Sequence, residues 1–476
     1  MKTINRLTLL LMLSLVLHGC SSGCVSPDKQ SDSILTIFPD YSGVTFPVNI
    51  APPNFLIQKE GDMYQTEIGC GGQTAICYVD DSPEVIISPK KWKELLRQSA
   101  GKEIFFRITI CKEKIWTRYP DVTNIISVDT IDPYLAYRLL YPGYELWNEM
   151  GIYQRDLTSY EERAIIENST LDKQCVNCHT FNRNSPADMM FHIRGKSGGT
   201  VIRHKGATKK VAVKPQGSNN GGTYAAWHPS GRFIAFSVNE IQQFFHLTGK
   251  KPIEVSDLEG DIIVYDVEQN RVISDSVVYG KKYMETFPNW SPDGNTLFYC
   301  RAKALEKGFP LDSVRYDLYA VDFDPQTEQW GIPKCLFEAG KCGKSVSFPR
   351  ISPDGKHLMF TLSDYGNFSI WHPESELCLL TLATGEMRLL DEVNSDNVES
   401  FHTWSASGRW FVFSSKRLDG LWARPFFASF DPRTGKAGKP FLLPQKDPHF
   451  YDTFTKTYNL PELIQEPVPA NALNFN

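Results

Sequence analysis

The chain has 476 residues, 50 basic against 55 acidic side chains, and a formal net charge of −5. This near balance and the lack of a long basic run exclude nucleic acid as the expected partner. Aromatic residues make up 12%, a composition suited to pleated surfaces, and the length allows two to four domains with a sizeable core.

The first twenty residues, "MKTINRLTLLLMLSLVLHGC", stand apart. Lys2 and Arg6 precede an apolar run from Leu7 to Leu17, and small residues follow. That three-part layout predicts an export signal, and the run is short for a membrane span. Its end, Leu17-His18-Gly19-Cys20, resembles a bacterial lipoprotein signal. The resemblance implies cleavage after residue 19 and lipid on Cys20. It also implies a body held by a lipid anchor at the periplasmic side of a bacterial membrane, the outer membrane first. His18 departs from the small residue usual at that point.

Residues 20–34 then read as a polar tether. Residues 35–122 read as a β-sandwich-like module of short strands, among them "TAICYVD" and "EIFFRITI". Their density resembles immunoglobulin-like domains. One helix is predicted in "SPKKWKELLRQSA", with Ser88 as N-cap, Pro89 in the first turn and Gly101 after the end.

Beyond the module lies a repeat. "AAWHPSGRFIAFSVNE" from 225, "PNWSPDGNTLFYCRAK" from 288, "PRISPDGKHLMFTLSD" from 349 and "HTWSASGRWFVFSSKR" from 402 share one order. A bulky residue (Trp227, Trp290, Ile351, Trp404) leads into a turn closed by glycine (Gly231, Gly294, Gly355, Gly408), and an apolar strand follows. A second strand, such as "DIIVYDVEQNRV" or "ELCLLTLATGEMRLL", comes after each. Units of about four strands with glycine-closed turns predict β-propeller blades. The "W-S-P-D-G" at 290–294 resembles the Trp-Asp-like repeats of TolB-type propellers. Weaker copies start at 131 and 185. The expected fold class is therefore all-β: the sandwich-like module, then a six-bladed propeller over 123–450, with seven blades as the alternative. Residues 451–476 read as a C-terminal extension.

The motif with the most chemistry sits early in this region: Cys175-Val-Asn-Cys178-His179. Two thiols at this spacing reach the two vinyl groups of a haem, and the next residue is placed to ligate iron. From the cysteine and histidine content, chance would supply about 0.005 such motifs. Zinc would need a second close ligand pair, and only lone His192 and His204 lie near. A dithiol redox site would call for a thioredoxin-like context. The motif thus resembles c-type haem attachment, without the helices of small cytochromes c. That resemblance implies covalent haem c on Cys175 and Cys178, His179 as proximal iron ligand, and Met190 or His192 as candidate distal ligand. The basic run 196–210 reads as a solvated blade edge, or else as a propionate contact.

Three functions follow as expectations. One is electron transfer or haem redox chemistry at the cell envelope, with an envelope protein as redox partner. Another is a non-enzymatic scaffold binding protein or glycan, its haem structural or absent. The third is peroxidase-like chemistry at an open iron. Neither a Gly-x-Ser-x-Gly elbow nor a phosphate-binding loop is present. Of the other cysteines, Cys70 with Cys77 and Cys335 with Cys342 are possible short-loop disulfides in an oxidising compartment, with connectivity open.

Overall fold

The computed structural model describes residues 24–142, 149–215, 220–249, 251–306, 308–470 and 472–473. The export signal and Cys20 lie outside the described residues. Among those described, no helix is long and apolar enough to cross a membrane.

Six sheets of four or five strands carry the repeat, each with its strands in antiparallel order. Sheets II to VI begin on inner strands Cys175–Asn182, Thr223–Trp227, Tyr283–Trp290, Ser345–Ile351 and Glu399–Trp404. Sheet I contains Tyr134–Leu140, Met150–Asp156 and Glu162–Glu167, and its inner strand comes from the far end of the chain, Thr457–Ile464. Each inner strand packs on the next, and Thr457–Ile464 touches both Glu399–Trp404 and Cys175–Asn182, so the ring closes on itself. The segment expected to be a C-terminal extension is therefore a structural strand. Closure of this kind gives sheet I its fourth strand from the far end of the chain, so the two ends hold each other in the ring.

A second regularity was not expected. Cys178, Tyr224, Phe287, Phe348, Phe401 and Leu460 all have positive φ, between 44° and 53°. In every inner strand the register shifts at this point, as a β-bulge requires. Non-glycine residues rarely adopt this conformation, and six equivalent cases mark a built feature. Four of the side chains form a contiguous aromatic belt of tilted and edge-on rings, with centroids 4.5 Å apart for Tyr224–Phe287, 4.0 Å for Phe287–Phe348 and 4.9 Å for Phe348–Phe401. Leu460 packs against the same cluster. This belt is an apolar waist across the channel, and Cys178 holds the sixth position in it.

The N-terminal module departs from an immunoglobulin-like sandwich. It contains a seven-stranded sheet with two parallel pairings, Lys29–Gln30 on Thr117–Arg118 and Thr45–Phe46 on Ile125–Ile126, plus a separate three-stranded sheet. Its helix, Pro89–Ser99, starts after Ser88 as predicted, although the Ser88 side chain makes no cap bond. Trp92, Leu95 and Leu96 bury its inner face. Strand density alone could not distinguish these arrangements, because short strands read alike in either.

Two further expectations change. Cys24 pairs with Cys77, while Cys70, Cys335 and Cys342 are free. The tether is likewise docked over Lys29–Gln30. Sequence proximity favoured Cys70 as the partner of Cys77, but the docked tether brings Cys24 there instead. The module and sheets I and VI share one apolar core. Phe46 meets Phe441 at 5.1 Å, and Asn54 Nδ2 donates to Lys446 O at 2.8 Å.

Candidate functional site

The waist divides the channel into two chambers. The lower one, at the N-terminal ends of the inner strands, has a volume of about 150 Å³. The upper one, at their C-terminal ends beneath the glycine-closed turns, has about 620 Å³. Cys178 borders both.

Cys175 and Cys178 lie together on the wall of the lower chamber. Both are buried and free, and burial pushes the Cys175 thiol up despite nearby Arg138 and Arg194. Apolar side chains, including Met150, Phe245, Ile253, Trp371 and Phe401, form most of the remaining wall. Three cations, Arg138, Arg194 and Lys416, share it, and among the described residues no carboxylate does.

Among the described residues Arg138 bonds neutral groups: Asn177 Oδ1, Val176 O at 3.4 Å and Asn459 Oδ1 at 3.0 Å. Burial brings its affinity for a proton below the usual range. Lys416 is 2% exposed, with Nζ 3.2 Å from the Trp371 ring centroid, and burial pulls its pKa down to about 7. Buried cations without counter-charges are unfavourable unless an anion joins them. The lower chamber is thus apolar, dithiol-bearing and short of negative charge.

His179 does not share this wall. It borders the upper chamber and sits in the seam towards sheet I, against the Ala136 and Leu460 carbonyls. Neither ring nitrogen makes a well-formed hydrogen bond. Burial, with the charge of Arg138, holds its pKa at about 3, so the ring is neutral. His402 occupies the same place in sheet VI, one residue past the positive-φ position. Its Nε2 meets Met359 O at 3.0 Å across the seam to sheet V, and its pKa is also held at about 3. Proline stands at this position in three of the sheets: Pro288, Pro349 and Pro461.

The proposed distal ligands border neither chamber. Met190 is fully buried among Ile202, Trp227 and Phe236 between sheets II and III. His192 shares that face, with Nδ1 3.0 Å from Thr200 Oγ1. Met190 and His192 alternate correctly for one strand face, but that face is turned to the neighbouring sheet, because the core claims apolar side chains there. Among the described residues, no group of three or more His, Cys, Asp and Glu is placed to hold a metal ion. The basic run 196–210 forms the outer part of sheet II.

Tested against a haem, these residues fit in part. The thiol pair, apolar walls and unpaired cations suit a macrocycle with two vinyl groups and two propionates. The unpartnered His179 imidazole suits a ligand as well, but it faces another direction. The lower chamber is also smaller than the ~300–1,000 Å³ of most small-molecule sites. Its roof is the long hairpin of Phe233–Phe245 and Ile253–Asp266, which supplies Ile241, Phe245, Ile253 and Val255 to the wall. Lys251 latches this hairpin to sheet V through Glu374 at 2.7 Å.

Sequence reasoning missed Glu462, which borders the upper chamber. It accepts bonds from Phe181 N at 3.0 Å and Thr180 Oγ1 at 3.3 Å, and burial raises its pKa from 4.5 to about 7. The folded chain therefore holds this proton more tightly than the unfolded chain. The resulting stability is complete below pH 4.5 and is lost as pH rises through 7. Glu462→Gln should flatten that decline. Unfolding free energies from urea melts at pH 5 and 8 should differ less than in the parent, by on the order of 1–2 kcal/mol, discounted because the carboxyl borders an open chamber.

Fold and site together define an all-β, propeller-type protein with a thiol-bearing channel. No protein-family model matches the chain, and no curated protein sequence does either. Similar solved structures include an oligogalacturonate lyase from Vibrio parahaemolyticus, 13% identical, covering 61% of this chain and 71% of that one with a TM-score of 0.36. A Cps50 (Swd1) β-propeller domain from Myceliophteria thermophila is 9% identical over 76% and 95%, with a TM-score of 0.34. Prolyl oligopeptidase B from Galerina marginata is 11% identical over 86% and 62%, with a TM-score of 0.35. At such values the architecture rests on the strand topology above.

Proposed function

We propose that the chain is an exported, lipid-anchored haem c protein on a six-bladed, TolB-like propeller, acting in electron transfer at the cell envelope. Cys175 and Cys178 would form the thioethers and His179 would be the axial ligand, with Cys20 carrying the anchor. One observation carries this reading: the two thiols share an apolar chamber with three cations and, among the described residues, no carboxylate. Arg138, Arg194 and Lys416 would pair the propionates, and the apolar walls would exclude water from the macrocycle. When bound, the haem supplies a one-electron couple. Loading requires the hairpin latch to open and His179 to leave its seam. Met190 and His192 stay in the core, so neither would supply a second ligand to the iron.

A second reading is a haem-free scaffold, favoured by the equivalence of His179 with His402. The experiment is expression in an exporting host with c-type maturation, followed by a reduced-minus-oxidised absorption spectrum. The expected result is a c-type band pattern that changes on adding carbon monoxide. A colourless chain contradicts the haem reading and leaves the scaffold.

A further inference from the structure

The upper chamber meets the haem reading only at Cys178 and His179, and the rest of its chemistry is different. Five buried polar atoms without well-formed partners belong to residues on its wall: Asn182 Oδ1, Trp227 Nε1, Trp290 Nε1 and both nitrogens of His179. Each such orphan carries a desolvation penalty that a bound partner would relieve. The set mixes indole donors with an amide acceptor, so a matching ligand must both give and take hydrogen bonds, as hydroxyl groups do.

The same wall holds an uncommitted cation. The Arg350 guanidinium is enclosed, and burial lowers its hold on a proton. Its hydrogen-bond partner is the carbonyl of Pro349, at 3.0 Å, and among the described residues it has no ion pair. Glu462 acts on it only through space, being tied to Phe181 and Thr180. A guanidinium fork free in a sheltered chamber matches a carboxylate in two parallel bonds. Its backbone is anchored, because the Arg350 carbonyl accepts from Trp404 Nε1 at 3.0 Å. The volume of about 620 Å³ lies within the range of small-molecule sites.

We propose that the upper chamber binds a small polyhydroxylated carboxylate, a sugar acid, with its carboxylate on Arg350 and its hydroxyls on Asn182, Trp227 and Trp290. The proposed contacts, Arg350, Asn182, Trp227 and Trp290, do not include His179, so the site does not rest on the haem reading. The test is calorimetric titration of the full chain with glucuronate and gluconate, against glucose and acetate. Saturable binding of either acid, at least tenfold tighter than glucose and acetate, is expected. Arg350→Gln should reduce that preference to the glucose level, and Trp290→Phe should weaken acid and neutral sugar alike. If Arg350→Gln does not fold, Arg350→Lys, which keeps the charge without the fork, should lose most of the preference. No saturable binding of either acid, or binding equal to glucose or acetate, overturns the proposal. So does a preference that survives the Arg350 change.

Discussion

Removing the last strand, by ending the chain after Thr455, is expected to abolish cooperative folding. Thr457–Ile464 pairs along Tyr134–Leu140 and closes the ring between sheets VI and II. Tyr458, Leu463 and Ile464 are each at most 1% exposed, and Leu460 belongs to the waist. Burial of one such side chain contributes about 1.5–3 kcal/mol, while a typical domain is stable by about 5–15 kcal/mol in total. The strand's contribution is therefore comparable to the whole margin, before the exposed edges of its neighbours are counted. Circular dichroism during urea denaturation reads this directly. A truncated chain with an unchanged midpoint would show that the ring does not depend on its closing strand.

The second large effect concerns Cys178, which separates the two functional readings. Its five counterparts in the waist are aromatic residues and a leucine. A cysteine there is undersized, so Cys178→Leu should be neutral or stabilising by up to about 1 kcal/mol. The same change removes one attachment thiol. Combined with Cys175→Ala, it should abolish covalent haem completely while the thermal midpoint stays within a few degrees of the parent. A midpoint collapse would instead assign both thiols a packing role. Retained covalent haem would place attachment elsewhere in the chain.

Much of the propeller was legible because its turns carry their own chemistry. Gly231, Gly294, Gly355 and Gly408 all adopt positive φ, between 66° and 81°, as the turns require. The bulky residues before them mark the ends of inner strands. The waist itself was not read, because nothing in Phe287 or Phe348 announces a positive φ. A signal did exist. Each waist residue stands three positions before the bulky residue of its strand, as Tyr224 does before Trp227, Cys178 before Phe181 and Leu460 before Leu463. That spacing would have placed Cys178 within the repeat and found the closing strand, which its distance along the chain from sheet I concealed (Ala136 against Glu462 is a difference of 326).

The candidate site was half legible. The thiol pair was visible from spacing, and it does reach a common chamber. The surrounding cations were not, because Arg138 and Lys416 come from sheets I and VI and meet only in the folded ring. The distal candidates failed for a packing reason: a strand face can be read from sequence, but which neighbour claims it cannot. His179 looked singular in sequence, whereas His402 fills the equivalent seam one sheet before the ring closes.

The most direct measurement is the intact mass of the chain from an exporting, haem-maturing host, taken after denaturation and organic extraction. A mass increased by one haem, absent when Cys175 and Cys178 are both replaced, is the expected result. An unmodified mass from a host that matures a control cytochrome c would contradict the haem assignment.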